Sequence, residues 1–103
     1  MAEVIWTEQS LEDIQQIADF IAKDSLVYAQ WQVERFLTIE QQLSEHPYSG
    51  RKVPEINDDT IREVIVGMYR MIYYVNSSDK VSILTVHHSN RLLSNNPWIS
   101  MGE

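Results

Sequence analysis

A chain of 103 residues without cysteine is long enough for one core but not two, and it offers neither a disulfide framework nor a thiolate metal site. Its net charge of −7 is uneven, because residues 1–50 carry nine acids against two bases while residues 51–103 balance six against six. Phosphate contacts need a basic face, so the chain is a poor general nucleic-acid binder and any action on RNA has to be local or assisted; sequence-specific DNA binding by this chain alone is not expected, and any anion site falls in the second half.

The start, MAEVIWTEQS, has no basic n-region and no apolar h-region, and no apolar run reaches the ~18 residues of a membrane span. A cytoplasmic protein is therefore expected, a single domain over 1–103 with no membrane contact. Residues 2–6 have the pattern of a short strand. Thr7 is a candidate N-cap with Glu8 in the first turn, and Leu11, Ile14, Ile17, Ala18 and Ile21 recur at helical spacing, which predicts an amphipathic helix over about 8–23. Asp24 and Ser25 supply the next cap, and Ala29, Val33, Phe36, Ile39 and Leu43 form one stripe of a second helix reaching about His46. The two helices make a hairpin. Trp31 lies roughly 140° from the centre of that stripe at ~100° per residue, so it either faces solvent and a partner or packs on the first helix.

HPYSGRKVPEINDD, residues 46–59, is a connector marked by two prolines, a glycine and a polar cluster. Three β-type runs follow, 60–66, 69–75 and 81–88, separated by Gly67-Met68 and by Asn76 to Asp79, so an antiparallel meander is expected. A short tail, about 89–103, has a helical turn at Arg91-Leu92-Leu93 as its one expected element. The fold class is α+β: an N-terminal strand and a two-helix hairpin packed on a small antiparallel sheet.

The hairpin sequence REVIVGMYRMIYYV carries two arginines and a glutamate among valines and tyrosines. With a two-residue turn at Gly67-Met68, Val66 opposes Tyr69, Ile65 opposes Arg70, Val64 opposes Met71 and Glu63 opposes Ile72. With a four-residue loop at Asn76 to Asp79, Tyr74 opposes Val81, Ile72 opposes Ile83, Arg70 opposes Thr85 and Tyr69 opposes Val86. One face then holds Val64, Val66, Tyr69, Met71, Leu84 and Val86, with Arg62 and Tyr73 toward its edge, and packs on the helices. The other holds Glu63, Arg70, Thr85 and His87 within a rim of Ile61, Ile65, Ile72, Tyr74, Val81 and Ile83, the pattern of a binding groove. A one-residue slip would exchange these faces. A plain surface ion pair of Glu63 with Arg70, worth under about 1 kcal/mol, accounts for the same residues.

Chemically, a carboxylate or imidazole takes a proton from a ribose hydroxyl, an imidazole returns one, and a guanidinium holds phosphate oxygens. Glu63, Arg70 and His87 therefore suffice for RNA cleavage without a metal, although they are not specific to it. His87 and His88 are adjacent in a strand and point to opposite faces, so they do not form a metal pair. No metal and no cofactor are expected.

Read together, IWTEQSLEDIQQIADFIAKDS in the first helix, HPYSGRKVPE in the connector, IREVIVGMYRMIYYV in the hairpin and ILTVHHSNRL in the last strand resemble the toxin subunits of the ParE/RelE family of bacterial toxin–antitoxin systems. The similarity runs from about Val4 to Leu93. It implies a helical hairpin against a small antiparallel sheet, and a toxin neutralised by a cognate antitoxin whose C-terminal segment wraps the sheet and helices. ParE-like members are understood to poison DNA gyrase, whereas RelE-like members cleave mRNA on the ribosome. Gly50-Arg51 with Val53-Pro54-Glu55, then Arg62-Glu63, Tyr69-Arg70 and a final Val-His look more like the ParE branch, and a pI near 4.8 weighs against a nuclease that must grip RNA. The resemblance thus implies a gyrase inhibitor with no catalytic residues of its own, in which Arg62, Glu63, Tyr69, Arg70, Tyr73, His87 and Arg91 face the antitoxin or the target. The alternative it implies is a ribosome-dependent endoribonuclease using Glu63, Arg70 and His87. A third is a toxin-like chain that binds an antitoxin and has lost its activity.

Overall fold

The structure, a computed structural model, describes residues 1–89, and the expected turn at 91–93 lies outside the described residues. In chain order the elements are β1 (Glu3–Trp6), α1 (Glu8–Ala22), α2 (Leu26–Glu45), β2 (Arg51–Lys52), β3 (Ile61–Val66), β4 (Tyr69–Ser77) and β5 (Lys80–His88). Both helices start at the expected caps: Thr7 Oγ1 accepts from the Ser10 amide at 3.2 Å, and Ser25 Oγ from the Tyr28 amide at 3.1 Å. Ile14, Ile17, Phe36, Ile39 and Leu43 turn inward to the main core, as their spacing predicts. Leu11, expected on the same stripe, is exposed. Among the described residues no helix is long and apolar enough to cross a membrane.

The sheet has the order β1-β5-β4-β3-β2. The meander β3-β4-β5 is antiparallel as expected, and the two-residue β2 continues it, but β1 lies parallel to β5, so the five-stranded sheet is mixed. A parallel neighbour needs a crossover, and the hairpin of α1 and α2 begins it by running over one sheet face. α1 also covers the edge that β5 leaves open beyond β1. There Thr7 Oγ1 donates to the Ile83 carbonyl at 2.7 Å, while Asp13 Oδ2 accepts from the Val86 amide at 2.9 Å and from Thr85 Oγ1 at 2.6 Å. A side chain thus stands in for the missing strand.

The first hairpin has the expected register, from Val66 opposite Tyr69 to Glu63 opposite Ile72. Gly67 alone in its turn takes a positive φ, +62°, as the first central residue of a type II′ turn requires. The second hairpin differs from expectation. Its turn is Ser78-Asp79, not a four-residue loop, and its register brings Tyr69 opposite His88, Arg70 opposite His87 and Ile72 opposite Thr85. A bulge then leaves Leu84 unpaired, so Tyr73 meets Ile83. The extra residue changes the parity of the strand: Val81 and Ile83, expected on the far face, enter the main core, and Leu84, expected in that core, packs on the far face.

That far face is not an open groove. The connector folds across it, and Val53 and Ile56 pack on Ile72, Leu84, Ile61 and Tyr74 as a second, smaller core.

Candidate functional site

The register of β3, β4 and β5 sets Glu63, Arg70 and His87 side by side on the connector-covered face. Glu63 and Arg70 are diagonal neighbours across the first hairpin, and Arg70 directly opposes His87 in the second. All three are buried, Glu63 to 1% and Arg70 to 7% residual exposure. Thr85, expected in the same cluster, is also buried, and its hydroxyl donates to Asp13.

Arg70 is held on both sides. Its Nε donates to Glu63 Oε1 at 2.9 Å and its Nη2 donates to the same oxygen; its Nη1 and Nη2 then reach Glu55 Oε2 and Oε1 at 2.9 and 3.1 Å, a two-pronged grip on the second carboxylate. Glu63 Oε2 accepts in turn from Arg51 Nε at 2.6 Å. The result is one chain of alternating charge, Arg51–Glu63–Arg70–Glu55, drawn from β2, β3, β4 and the connector. Its inner members are desolvated, while the Arg51 and Glu55 side chains keep 64% and 47% of their exposure. The Arg70 hydrogen bonds hold the Glu55 carboxyl below its ordinary range, and the Glu55 hydrogen bonds raise the Arg70 guanidinium above its own. These are not the contacts of a loose surface pair. Arg51 and Glu55 were missed as site residues, although both stand in the connector motif that carries the family resemblance.

Arg62 and Tyr73 lie on the opposite side of the sheet and serve the connector. Arg62 Nη1 donates to the Gly50 carbonyl at 2.7 Å, its Nε donates to the Asp59 carbonyl at 2.9 Å, and its guanidinium stacks 5.0 Å from the Tyr48 ring centre. Tyr73 is wholly buried, its hydroxyl accepts the Gly50 amide at 2.9 Å, and burial pushes its phenol pKa up. A Cβ on Gly50 would stand 2.5 Å from the Glu63 carbonyl and 2.7 Å from that hydroxyl, so the approach of connector to sheet admits only glycine.

Tyr69, half-buried on the helix side, packs edge-on against Phe36 and His88 at 5.8 and 5.7 Å between ring centres. With Asp13, Phe20, His87 and His88 it lines a pocket of about 250 Å³ beside α1. Arg91 lies outside the described residues. Of the expected site residues, the fold therefore gathers Glu63, Arg70 and His87 and sets Arg62 and Tyr73 apart from them, while Tyr69 shares only the pocket beside α1 with His87. Trp31 is 45% exposed, stacked on Tyr28 at 5.4 Å and covered by the Arg35 guanidinium at 5.0 Å.

Comparison with known proteins agrees with this architecture. The family described as "ParE toxin of type II toxin-antitoxin system, parDE" matches residues 4–93. A curated relative, Toxin RelE2 of Caulobacter vibrioides, is 37% identical over 93 residues, which is 89% of this chain and all of the relative. A solved structure described as "Chromosomal ParDE TA system from P. aeruginosa" superposes with a TM-score of 0.69 over 85% of this chain and 96% of its own, at 16% identity, a likeness of fold. With the family matched over residues 4–93 and a curated relative 37% identical along its whole length, this protein belongs to the ParE toxin family of type II toxin–antitoxin systems.

Proposed function

We propose that this toxin arrests growth by a protein–protein action on DNA gyrase and is held inactive by a cognate antitoxin. The observation that carries the gyrase reading is the state of Arg70. Its guanidinium, the group expected to hold a scissile phosphate, has both edges filled by Glu63 and Glu55. Both Glu63 oxygens are likewise occupied by guanidinium N–H groups, so neither residue stands ready for proton or phosphate chemistry. The acidic composition supports the same reading, since a net charge of −7 opposes approach to ribosomal and messenger RNA. The structural neighbour, a ParDE system, supports an antitoxin as partner.

One observation favours the second reading, a ribosome-dependent mRNA endoribonuclease: Glu63, Arg70 and His87 do converge, with Arg70 and His87 in direct cross-strand register. A supercoiling assay with purified gyrase and antitoxin-free protein, including a test for trapped double-strand breaks, separates the two. Inhibition or cleavage is expected. No effect at large excess of folded protein, together with cleavage of mRNA on added ribosomes, would overturn the gyrase reading.

A further inference from the structure

α1 shows α2 one flank, with Ala18 and Ala22, and turns the other toward the end of the sheet. Along that second flank Asp13, Gln16, Ile17 and Phe20 follow one another at helical spacing. Facing them are Tyr69 at the start of β4 and His88 at the end of β5, which oppose each other in register. These six residues line a pocket of about 250 Å³. The Tyr69 and His88 rings stand at 77° with their centres 5.7 Å apart, so they make a corner, and Phe20, 67% exposed, adds a third ring from the helix side.

Asp13 supplies the charge of this pocket. Its three donors are all neutral: Gln9 Nε2 reaches Oδ1 at 2.8 Å, while Thr85 Oγ1 and the Val86 amide reach Oδ2 at 2.6 and 2.9 Å. No ion pair among the described residues includes it. A carboxylate tied only by neutral donors projects an uncancelled negative field into the space before it. Aromatic faces are negative too, because the ring quadrupole places electron density above and below the plane. The two fields add, and what they attract is a cation. Lys23, three residues beyond Phe20, already brings its ammonium 5.9 Å from that ring's centre.

Hydrogen-bonding capacity decides which cation. Oδ2 already accepts two hydrogen bonds and Oδ1 one, which leaves the carboxylate little room for further donors. A primary ammonium would give up a strongly held hydration shell for too few acceptors. A quaternary ammonium has no N–H to satisfy, and its methyl groups pack directly on ring faces. The volume suits a headgroup, since drug-sized ligands take ~300–1,000 Å³. We propose that this pocket binds a small quaternary ammonium ion of the choline class, its methyl groups against Phe20, Tyr69 and His88 and its charge toward Asp13. A quaternary ammonium that carries its own carboxylate is disfavoured, because it meets Asp13 and a chain of net charge −7. Binding here neither requires nor tests the gyrase reading.

The test is an NMR titration of the isotope-labelled full chain with three ligands: choline, its uncharged isostere in which carbon replaces the quaternary nitrogen, and glycine betaine. Choline is expected to shift the Phe20, Val86 and His88 amide signals saturably, and to bind at least about tenfold more tightly than either of the others. Phe20→Ala, at an exposed position, should weaken choline about fivefold or more. Asp13→Asn keeps an acceptor oxygen but removes the charge, so choline and its isostere should then bind alike. Lys23→Gln should tighten choline about twofold, because a competing ammonium is gone. Circular dichroism checks the fold of each variant, and if Asp13→Asn unfolds, Phe20→Ala and the isostere still decide. An isostere that binds wild type as tightly as choline, a Phe20→Ala variant that binds choline like wild type, shifts confined to other parts of the chain, or no saturable shift with choline would each overturn the proposal.

Discussion

Replacing Arg70 with alanine probes the buried charge chain most directly. The change removes two donors from Glu63, whose side chain is fully buried, and leaves it only Arg51, which sits at the surface. A buried pair broken on one side costs about 3–5 kcal/mol, and the surviving Arg51 contact places Arg70→Ala near the lower end, about 3 kcal/mol. That is a large share of the ~5–15 kcal/mol that holds a domain together, and for a chain of this size it lowers Tm by on the order of 10–20 °C. Loss of toxicity in Arg70→Ala alone is thus no evidence for a functional arginine. The informative variant is Glu63→Met with Arg70→Met, which removes both inner charges and keeps the volume. Glu55 and Arg51, half-exposed or more, then turn to water, so this double variant should lie within about 1 kcal/mol of wild type. Urea unfolding of both variants checks the pair. A cost below about 1 kcal/mol for Arg70→Ala, or a double variant as unstable as the single one, would refute the claim that the network is buried and mutually dependent. In the same double variant the gyrase reading expects growth arrest to persist, and the nuclease reading expects it to vanish.

Gly50→Ala should destabilise by about 2 kcal/mol or more, because its Cβ meets backbone on one side and a buried phenol on the other; Tyr73→Phe should cost about 1 kcal/mol for the orphaned Gly50 amide, both read by urea unfolding. Asp13→Ala should cost about 2 kcal/mol by uncovering the Val86 amide at the edge of β5, and amide exchange at Val86 should speed up selectively. Glu55→Gln should matter above the ordinary carboxylate range and cease to matter in acid. The Glu55 carboxyl is held below its ordinary value by Arg70, so its contribution is whole at neutral pH and disappears as pH falls through the lowered value. Because the side chain is half-exposed, the difference at pH 7 should stay under about 1 kcal/mol, and a gap that persists at pH 2 would contradict the assignment.

Much of the fold is legible in the sequence, since both helices announce themselves through caps and stripes and Gly67-Met68 fixes the first hairpin to the residue. The second hairpin is harder to read for a physical reason. Residues 71–75 and 81–86 are largely apolar on both faces, because one face meets the helices and the other meets Val53 and Ile56. Alternation therefore cannot mark parity, and the bulge at Leu84 leaves no trace in the sequence. β1 is too short to declare which edge it joins. The site is legible where strand register governs it, in Glu63, Arg70 and His87, and obscure where a loop returns to it. Nothing in the order of residues says that Arg51 and Glu55 close the charge chain, since loop ion pairs depend on where the connector lands.

The placement of charge also bears on how this toxin acts. In the second half of the chain, Arg51, Glu63, Arg70 and Glu55 neutralise one another, and Arg62 is spent on backbone carbonyls of the connector. The helical half carries the whole net deficit, most of it on exposed helix positions. The field presented to solvent is therefore negative, and the sheet adds no compensating basic surface through these residues. For a nuclease this is the wrong arrangement, because RNA must first be attracted and then offered a free guanidinium. For the protein–protein action proposed above it is workable, since no free basic surface is needed and the internally paired sheet face holds the connector in one shape.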